Sequence, residues 1–418
     1  MKYQVKNLRL AAQGEKRIGW AGRDMPVLVA IKEKFRRNKP FRGLRMSACL
    51  HVTAETANLM LALQAGGADL TLVASNPLST QDDVAAALVK NHKLKILAAR
   101  GENRAMYYQH LRQALKNRPQ ITFDDGADLI SLLHRDYKGQ AKNILASLEE
   151  TTTGVMRLRS LAAKSRLLVP VFAVNDAKTK NLFDNRYGTG QSTLDGIIRA
   201  TGLLIAGRTI VVAGYGWCGR GFTDRARGLG ARVIITEVDE IKALEAAMDG
   251  FGVMPMKAAA KIGDIFCTLT GDINVIDRPH FKLMKDGAVI CNSGHFDVEI
   301  NLRALKKMAS RMNYGVRANV DEYWLGKKRL YVLAQGRLIN LAAAEGHPAS
   351  VMDMSFSTQA LAAEYTAKNK GKLAVKVHNV PAEIELQVAR LKLKALGLKI
   401  DKLTPEQAKY LASWELGT

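Results

Sequence analysis

The chain has 418 residues, of which 47% are hydrophobic and 24% charged, so it is long enough for more than one domain with a buried core. No apolar run approaches the roughly 20 residues of a membrane-spanning helix, and the first residues lack the apolar stretch of a secretory signal. Four cysteines without CxxC spacing are typical of buried thiols in a reducing compartment. We therefore expect a cytoplasmic protein.

The formal net charge of +23 is the one unusual bulk property. Lysine and arginine dominate nucleic-acid binding because they neutralise phosphates. Here the basic residues are spread along the chain, are not interleaved with aromatic residues, and accompany no DNA- or RNA-binding motif. We therefore expect a solvated basic surface and no nucleic-acid partner.

The first part of the chain alternates strand-like and helix-like segments. Strands are predicted at 45–50, 69–74, 93–98, 120–123 and 169–174, with helices at 54–66 and 81–90 and a helical passage from residue 143. This alternation predicts a doubly wound parallel sheet. Polar residues follow several of the predicted strands, among them His51, Asp125 and Asn175. Because open α/β sheets bind ligands at the carboxyl ends of their strands, this first unit is predicted to be a binding domain.

The segment 209–221 carries the most specific motif. A strand predicted at 209–213 runs into Gly214, Gly216 and Gly219 in the spacing GxGxxG, and a helix is expected from near Phe222. The first glycine permits a tight turn, the second lets the backbone approach a pyrophosphate, and the third lets the helix pack on the strand. A helix N-terminus then faces the anion. The motif predicts a dinucleotide site.

A second strand at 232–236 ends at Glu237, about twenty residues past the glycines. A carboxylate there accepts hydrogen bonds from an adenosine ribose and repels a 2'-phosphate, so NAD is the predicted cofactor. Strands at 264–268 and 288–291 complete this unit. The expected fold is α/β, with two doubly wound parallel-sheet domains, one of them a Rossmann domain, plus a small C-terminal helical tail. The basic tail residues are expected on a solvated helix face: Lys392, Lys394, Lys399 and Lys402.

Several ordered segments match one known family. They are 49–56, 79–82, 124–126, 149–154, 175–176, 183–185, 195–196, 199–201, 294–297 and 346–348, together with Lys180, Gly188 and the glycine loop. Through them the chain resembles the S-adenosylhomocysteine hydrolase (adenosylhomocysteinase) family over nearly its whole length, in the compact form without a long insertion. The resemblance implies reversible hydrolysis of S-adenosyl-L-homocysteine to adenosine and L-homocysteine.

The resemblance also implies the route of this reaction. Bound NAD oxidises the ribose at C3', the C4' proton is lost, homocysteine is eliminated, water adds, and the hydride returns. The cofactor performs the difficult step, while the protein supplies orientation, proton transfer and exclusion of water. A hydrolase of this kind therefore needs a redox cofactor.

Six catalytic residues are implied by the resemblance: His51, Asp125, Glu150, Lys180, Asp184 and His295. Lys180 would be the base at the 3'-hydroxyl, and burial near a positive nicotinamide would have to depress its pKa. Asp184 would orient the ribose hydroxyls, with Glu150 on the 2'-hydroxyl side. Asp125 would take part in proton transfer beside C4' and C5', and His51 would protonate the departing thiolate and activate the water.

The other implied residues contact substrate or cofactor. The resemblance places Asn175 beside His295 near the ribose 3'-position, Thr53 and Glu55 at the adenine, and His347 at the entrance. The implied cofactor contacts are Thr151, Thr152, Thr153, Asn185, Gly214, Gly216, Gly219, Glu237, Thr270, Asn340 and Tyr410. No histidine or cysteine set has zinc spacing, so no metal is expected.

The chain departs from the family pattern in two places. Thr189 stands where many members carry a cysteine near the nicotinamide, so no thiol role is assigned there. In the tail, Glu406 replaces a lysine that reaches a neighbouring subunit's NAD, while Tyr410 fits the family's tail tyrosine. A homo-oligomer, expected to be a tetramer, is implied by the same resemblance.

The expected division of the chain has three parts. Residues 1–186 with 348–380 form the substrate-binding domain, 187–347 the NAD-binding Rossmann domain, and 381–418 a tail for oligomerisation and closure of the cofactor site. Three alternatives remain open: hydrolysis of the inosyl analogue, an ordinary NAD-dependent dehydrogenase, and a non-catalytic NAD- or nucleic-acid-binding protein. Glu55 argues against the inosyl substrate, because a carboxylate suits an amino group and not a carbonyl oxygen.

Overall fold

The structure is a computed structural model that describes residues 3–414. It contains fifteen strands in two sheets. In chain order the strands are β1 (Arg45–Leu50), β2 (Asp69–Ala74), β3 (Lys95–Leu97), β4 (Ile121–Asp124), β5 (Ala146–Glu149), β6 (Val171–Ala173), β7 (Thr209–Ala213), β8 (Arg232–Thr236), β9 (Gly252–Val253), β10 (Ile265–Thr268), β11 (Ala288–Asn292), β12 (Arg311–Arg317), β13 (Val320–Leu325), β14 (Lys328–Leu333) and β15 (Val377–Asn379).

Eighteen α-helices are found in the same residues. They are α1 (Ala11–Arg23), α2 (Pro26–Asn38), α3 (Ala54–Ala65), α4 (Asp82–Lys90), α5 (Arg104–Lys116), α6 (Asp128–Asp136), α7 (Thr152–Ala163), α8 (Lys178–Asn181), α9 (Thr189–Thr201), α10 (Trp217–Gly228), α11 (Glu240–Met248), α12 (Met256–Ala259), α13 (Arg278–Leu283), α14 (Leu302–Met308), α15 (Ile339–Ala342), α16 (Ala349–Lys368), α17 (Ala382–Ala395) and α18 (Pro405–Leu411). A π-helical turn, Asp184–Gly188, leads into α9. None of the helices in residues 3–414 is long and apolar enough to cross a membrane.

The first sheet has the order β15-β6-β5-β4-β1-β2-β3, and all its strand pairs are parallel. The chain winds in one direction from β1 to β3 and in the other from β4 to β6. The strand order therefore reverses between β1 and β4, and such a reversal opens a crevice at the carboxyl ends of the two strands. His51 directly follows β1 and Asp125 directly follows β4.

The second sheet has the order β12-β13-β14-β11-β10-β7-β8-β9. Its strand order reverses between β7 and β10, so Gly214 and Thr270 lie at the second crevice. The α/β class is confirmed, but this sheet is mixed, because β13 pairs antiparallel with both β12 and β14. The expected purely parallel sheet was wrong at this edge, where two short turns join the three strands without the helical crossover that parallel neighbours require.

Two local predictions were also wrong. The passage expected to be helical before residue 149 contains β5, a buried central strand between β4 and β6. Short apolar runs do not distinguish a buried strand from a helix by periodicity. Helix α10 begins at Trp217, five positions before the expected start, because the glycines that weaken the helical pattern still belong to its first turns.

After the second sheet the chain returns to the first. Helix α16 packs its buried face, including Phe356 and Leu361, into the core of the first sheet, and β15 then joins β6. The two sheets are thus connected twice, once through 182–190 and once through 343–349. Both connections lie beside the carboxyl ends of the strands, where the cavity described below is found.

Lys392 is buried, so the expectation that it lies on a solvated helix face was wrong. The residues Ile384, Val388 and Lys392 follow one another at spacing i, i+4, i+8 and form the buried stripe of α17. The Lys392 ammonium lies 2.9 Å from the Asp353 carboxylate, which also accepts from the Leu28 amide at 2.9 Å. The pair therefore joins α17, α16 and α2.

Replacing Lys392 tests this anchor. Lys392→Met leaves the Asp353 carboxylate buried without its cation, which is expected to lower the free energy of unfolding by about 3–5 kcal/mol. Urea denaturation measures the change. In the control Lys394→Met, which alters an exposed lysine of the same helix, we expect a change within about 0.5 kcal/mol. Equal effects of the two substitutions would contradict the assignment.

Candidate functional site

One large cavity lies between the carboxyl ends of the two sheets. Its volume is about 1000 Å³, and residues of both sheets and of both connections line it. The first sheet contributes the loops after β1, β4 and β5, and the second contributes the loops after β7, β8, β10 and β11. The two reversal points of strand order therefore face each other across a single space.

A buried ammonium occupies the wall of this cavity. The Lys180 Nζ donates to the amide oxygens of Asn185 at 2.8 Å and Asn175 at 3.3 Å. The same atom lies 3.2 Å from the Asp184 carboxylate and 3.8 Å from that of Glu150. The ammonium is thus surrounded by two carboxyl groups and two amide oxygens, and Lys180 as a whole is 4% exposed.

These charges shift one another's pKa values. Burial alone lowers the pKa of Lys180, but the carboxylates of Asp184 and Glu150 outweigh it, and the pKa lies above its usual value. The expected depressed pKa is therefore not what this arrangement gives. Burial raises the pKa of Glu150 to about 8, with Lys180 opposing. Burial also favours neutral Asp184, but Lys180 and His347 hold the pKa of Asp184 below its usual range.

Asp184 ties the two connections between the sheets together. It begins the π-helical turn of the first connection, and its Oδ1 lies 3.3 Å from Nδ1 of His347 in the second. Its Oδ2 accepts from the Ser355 hydroxyl at 3.0 Å. On the next turn of α16, the Gln359 amide donates to the Glu150 carboxylate. Helix α16 therefore supports both carboxylates that surround Lys180.

His51 and Asp125 form a second cluster at the reversal point of the first sheet. The His51 Nε2 lies 3.2 Å from the Asp125 Oδ2, and Nδ1 lies 2.7 Å from the Ser79 hydroxyl and 3.1 Å from that of Ser75. Burial lowers the pKa of His51 to about 4, because Asp125 compensates only in part. The ring is therefore neutral at neutral pH. From the second sheet, His295 places Nδ1 3.6 Å from Asp125 Oδ1.

Glu149 holds the loops that carry Asp125 and Thr151. Its Oε1 accepts from the amides of Gly126 and Thr151, both at 2.9 Å. The Thr151 hydroxyl in turn caps α7 by accepting from the Thr153 amide at 3.0 Å. Burial, followed by the neighbouring Asp124, raises the pKa of Glu149 well above its usual value. A buried acid thus fixes two adjacent strand-end loops.

The glycine loop follows β7 as the motif requires. Gly214 has a φ of +100°, which favours glycine, and a Cβ at Gly219 would lie 2.0 Å from the Gly214 carbonyl oxygen. At Gly216 a Cβ would meet nothing within 4 Å, so the loop faces open space in the cavity. Helix α10 starts at the next residue and directs its first amides there.

The rest of the second sheet's edge supplies polar groups to the same space. Glu237 Oε2 accepts from the Tyr215 amide at 2.6 Å, which fixes the carboxylate beside the glycine loop. Glu299 accepts from the Thr270 amide at 2.9 Å and so sets the loop after β10. The Asn340 amide donates to Ser192 at 3.2 Å, while its Oδ1 is buried without a partner in residues 3–414.

Nearly all the site residues expected from the sequence line this cavity. They are His51, Thr53, Glu55, Asp125, Glu150, Thr151, Thr152, Thr153, Asn175, Lys180, Asp184, Asn185, Gly214, Gly216, Glu237, Thr270, His295, Asn340 and His347. Gly219 lies behind the loop, in contact with Gly214. Tyr410 does not reach the cavity of its own chain and is 54% exposed on α18.

Sequence reasoning missed several supporting residues. Ser355 and Gln359 stand one helical turn apart on the buried face of α16, and their i, i+4 spacing on this helix is the available signal. Cys218, expected only as a buried thiol, lines the cavity, and its thiol lies 3.7 Å from the Thr189 hydroxyl. A thiol is thus present beside the position from which the family cysteine is absent, although burial raises its pKa.

Comparisons with known proteins decide the family. Residues 2–147 match the family model described as S-adenosyl-L-homocysteine hydrolase, and residues 185–346 match that of its NAD binding domain. The adenosylhomocysteinase of Aquifex aeolicus (strain VF5) is 62% identical, covering 100% of both chains. That of Gloeobacter violaceus is 57% identical over 100% of this chain and 98% of its own. The chain belongs to the S-adenosyl-L-homocysteine hydrolase family.

As expected for this family, the residues present fit NAD. The open space at Gly216 leaves room for a pyrophosphate, and Asn340 Oδ1, without a partner among the described residues, offers an acceptor to a carboxamide. Glu237 supplies a carboxylate at the end of β8, where the ribose of a dinucleotide is bound. The predicted cofactor and enzyme class are confirmed by the family's NAD-binding domain.

The contact at Gly219 gives a test of the cofactor site. Gly219→Ala places a methyl group against the Gly214 carbonyl, displaces α10 from β7, and is expected to reduce NAD content at least about tenfold. Mass spectrometry of the denatured protein measures bound NAD. Gly228→Ala, in the same helix with open space around its Cβ, is the matched control and should retain NAD.

The buried Glu149 predicts a pH dependence of stability. Its folded-state pKa lies above the unfolded value near 4.5, so the unfolded chain releases this proton first, and stability falls as pH rises above about 4.5. Glu149→Gln should reduce that decline by up to about 1.4 kcal/mol per pH unit. Urea denaturation between pH 5 and about 8 checks the slope. Identical slopes in both proteins would refute the assignment.

Proposed function

We propose that this protein catalyses the reversible hydrolysis of S-adenosyl-L-homocysteine to adenosine and L-homocysteine. The observation that carries the proposal is one cavity in which a glycine cradle for a dinucleotide faces buried Lys180, Asp184 and Glu150. A cluster of carboxylates and a lysine suits the hydroxyls of a ribose. When bound, NAD would supply reversible oxidation at the substrate's 3'-carbon.

We assign the ribose to the Lys180 cluster. Asp184 and Glu150 accept hydrogen bonds from the ribose hydroxyls, and Glu150 Oε1, which has no hydrogen-bond partner in residues 3–414, is available for this use. Lys180 accepts the 3'-hydroxyl proton once its own ammonium has been deprotonated. The amide oxygens of Asn175 and Asn185 keep Nζ in place. The carboxyl groups of Asp184 and Glu150 oppose this deprotonation, so the ammonium must lose its proton when substrate and cofactor are bound.

We assign proton transfer at C4' and C5' to the other cluster. Asp125 lies between His51 and His295, so the protons of these steps can pass among three adjacent groups. In the elimination, a proton taken from C4' by this cluster can pass to the departing thiolate, and in the addition neutral His51 suits acceptance of a proton from the attacking water, which then returns to C4'. Thr53 and Glu55, at the start of α3, are placed to contact adenine, and His347 to cover the entrance.

The domain division and the tail complete the proposal. Residues 1–186 with 348–380 bind substrate and 187–347 bind NAD through the assigned contacts. The tail 381–418, of which 415–418 lie outside the described residues, serves oligomerisation. Its exposed apolar side chains, including Leu403, Leu411 and Trp414, support burial against another chain of a tetramer. Four free cysteines support a cytoplasmic location.

The reaction itself has a direct test. Purified protein supplied with NAD and S-adenosyl-L-homocysteine should release a thiol, detected with a thiol reagent, while NADH stays constant because each cycle restores the cofactor. Absence of thiol release would overturn the proposal. A steady accumulation of NADH with a small hydroxy acid would instead indicate an ordinary dehydrogenase.

Lys180→Met tests the assigned base. Loss of the proton acceptor at the 3'-hydroxyl is expected to lower kcat by about 10²- to 10⁴-fold, with the absorbance of NADH in a single turnover as the measurement. Lys178→Met removes an exposed lysine from the same short helix and should leave kcat unchanged. Retention of hydride transfer in a folded, NAD-loaded Lys180→Met protein would show that another group is the base.

Glu55 gives a test of base preference. Burial raises the pKa of this carboxyl, and a group that accepts from an exocyclic amine favours adenine over hypoxanthine. We expect kcat/KM for the adenosyl substrate to exceed that for the inosyl substrate at least about tenfold. Glu55→Gln should reduce this preference. A wild-type preference for the inosyl substrate would contradict the assignment of the adenine contact.

A further inference from the structure

Three possible metal ligands converge in the lining of the cavity. The donor atoms of His51, Asp125 and His295 all lie within 4.8 Å of one another. The two nitrogen–oxygen separations are 3.2 Å for His51 and 3.6 Å for His295. Ligands about 2.1 Å from a tetrahedral zinc ion stand about 3.4 Å apart, so both histidine–carboxylate separations are close to those of such a site.

The surroundings hold the three donors in this arrangement. The His51 ring is fixed through Nδ1 by the hydroxyls of Ser79 and Ser75, which leaves Nε2 toward Asp125. The His295 ring lies against Gly126, where a Cβ would come within 2.2 Å of Nε2, and only Nδ1 faces Asp125. Outer contacts of this kind orient the imidazoles that bind metals.

The charge of the cluster also suits a divalent cation. Asp125 contributes one negative charge, and two imidazoles with one carboxylate are a donor set that zinc uses with its fourth position open. The positive charge of Lys180 disfavours a second cation nearby, but the neighbouring Asp184 and Glu150 already compensate this charge.

We propose that His51, Asp125 and His295 form a reversible, inhibitory binding site for Zn²⁺ and related divalent transition metals. The ion occupies the position at which the C5' side of the substrate would lie and removes His51 and Asp125 from proton transfer. Metal binding is independent of the proposed function, whereas inhibition rests on it. The site therefore differs from a resident catalytic metal, because the metal-free protein is the active one.

Metal binding is measured first, without reference to activity. Titration of the purified protein with ZnCl₂ in a calorimeter should give one site per chain, and Co²⁺ should give the intense visible absorption of tetrahedral coordination. His295→Asn and Asp125→Asn should each weaken binding at least about tenfold. His92→Asn, which removes a surface histidine that lies 2.9 Å from Glu15, is the control and should bind as the unmodified protein does.

The outcomes separate the possible sites. Loss of the Zn²⁺ site in Cys218→Ser but not in His295→Asn would overturn the proposal, and so would loss in His92→Asn alone. Circular dichroism and thermal melting establish that each variant is folded. If Zn²⁺ binds but adenosine neither binds nor displaces it, the metal site stands and the proposed function fails. If adenosine and Zn²⁺ exclude each other and a chelator restores activity, both stand.

Discussion

The buried charge of Lys180 is the constraint on which the rest of the site depends. An ammonium removed from water costs several kcal/mol unless anions and hydrogen-bond acceptors surround it. Here those groups come from separate parts of the chain: Glu150 follows β5, Asp184 begins the π-helical turn, and Asn175 follows β6. Satisfying one charge therefore fixes several loops relative to one another. The same neighbouring carboxylates hold the pKa of Lys180 above its usual value.

The two sheets bring complementary halves of the chemistry to one space. Each sheet reverses its strand order once, and each reversal places a loop with reactive or anion-binding groups at its edge. Buried carboxylates set these loops in both sheets, Glu149 in the first and Glu299 in the second. Both acids shape the cavity without contacting a ligand, because their hydrogen bonds to loop amides determine where the backbone and side chains of the cavity lie.

Features with local sequence determinants were predictable, and features set by distant contacts were not. The glycine loop and the strand-end position of His51 follow from short patterns, and the structure places both at the cavity. The pKa of Lys180 depends on carboxylates that folding brings beside it and that raise it, and the sequence alone did not show these neighbours. Lys392 was misjudged because its partner Asp353 lies 39 positions away, although its place in an apolar stripe was visible.

The double connection between the sheets limits how they can move. Two domains joined by one flexible segment can rotate about any axis. Two connecting segments that run side by side allow only rotation about the axis that passes through both. Asp184 and His347 meet where those segments pass each other. Any rotation of one sheet relative to the other would therefore turn about an axis beside Asp184 and His347, so the glycine loop would move farther than the Lys180 cluster.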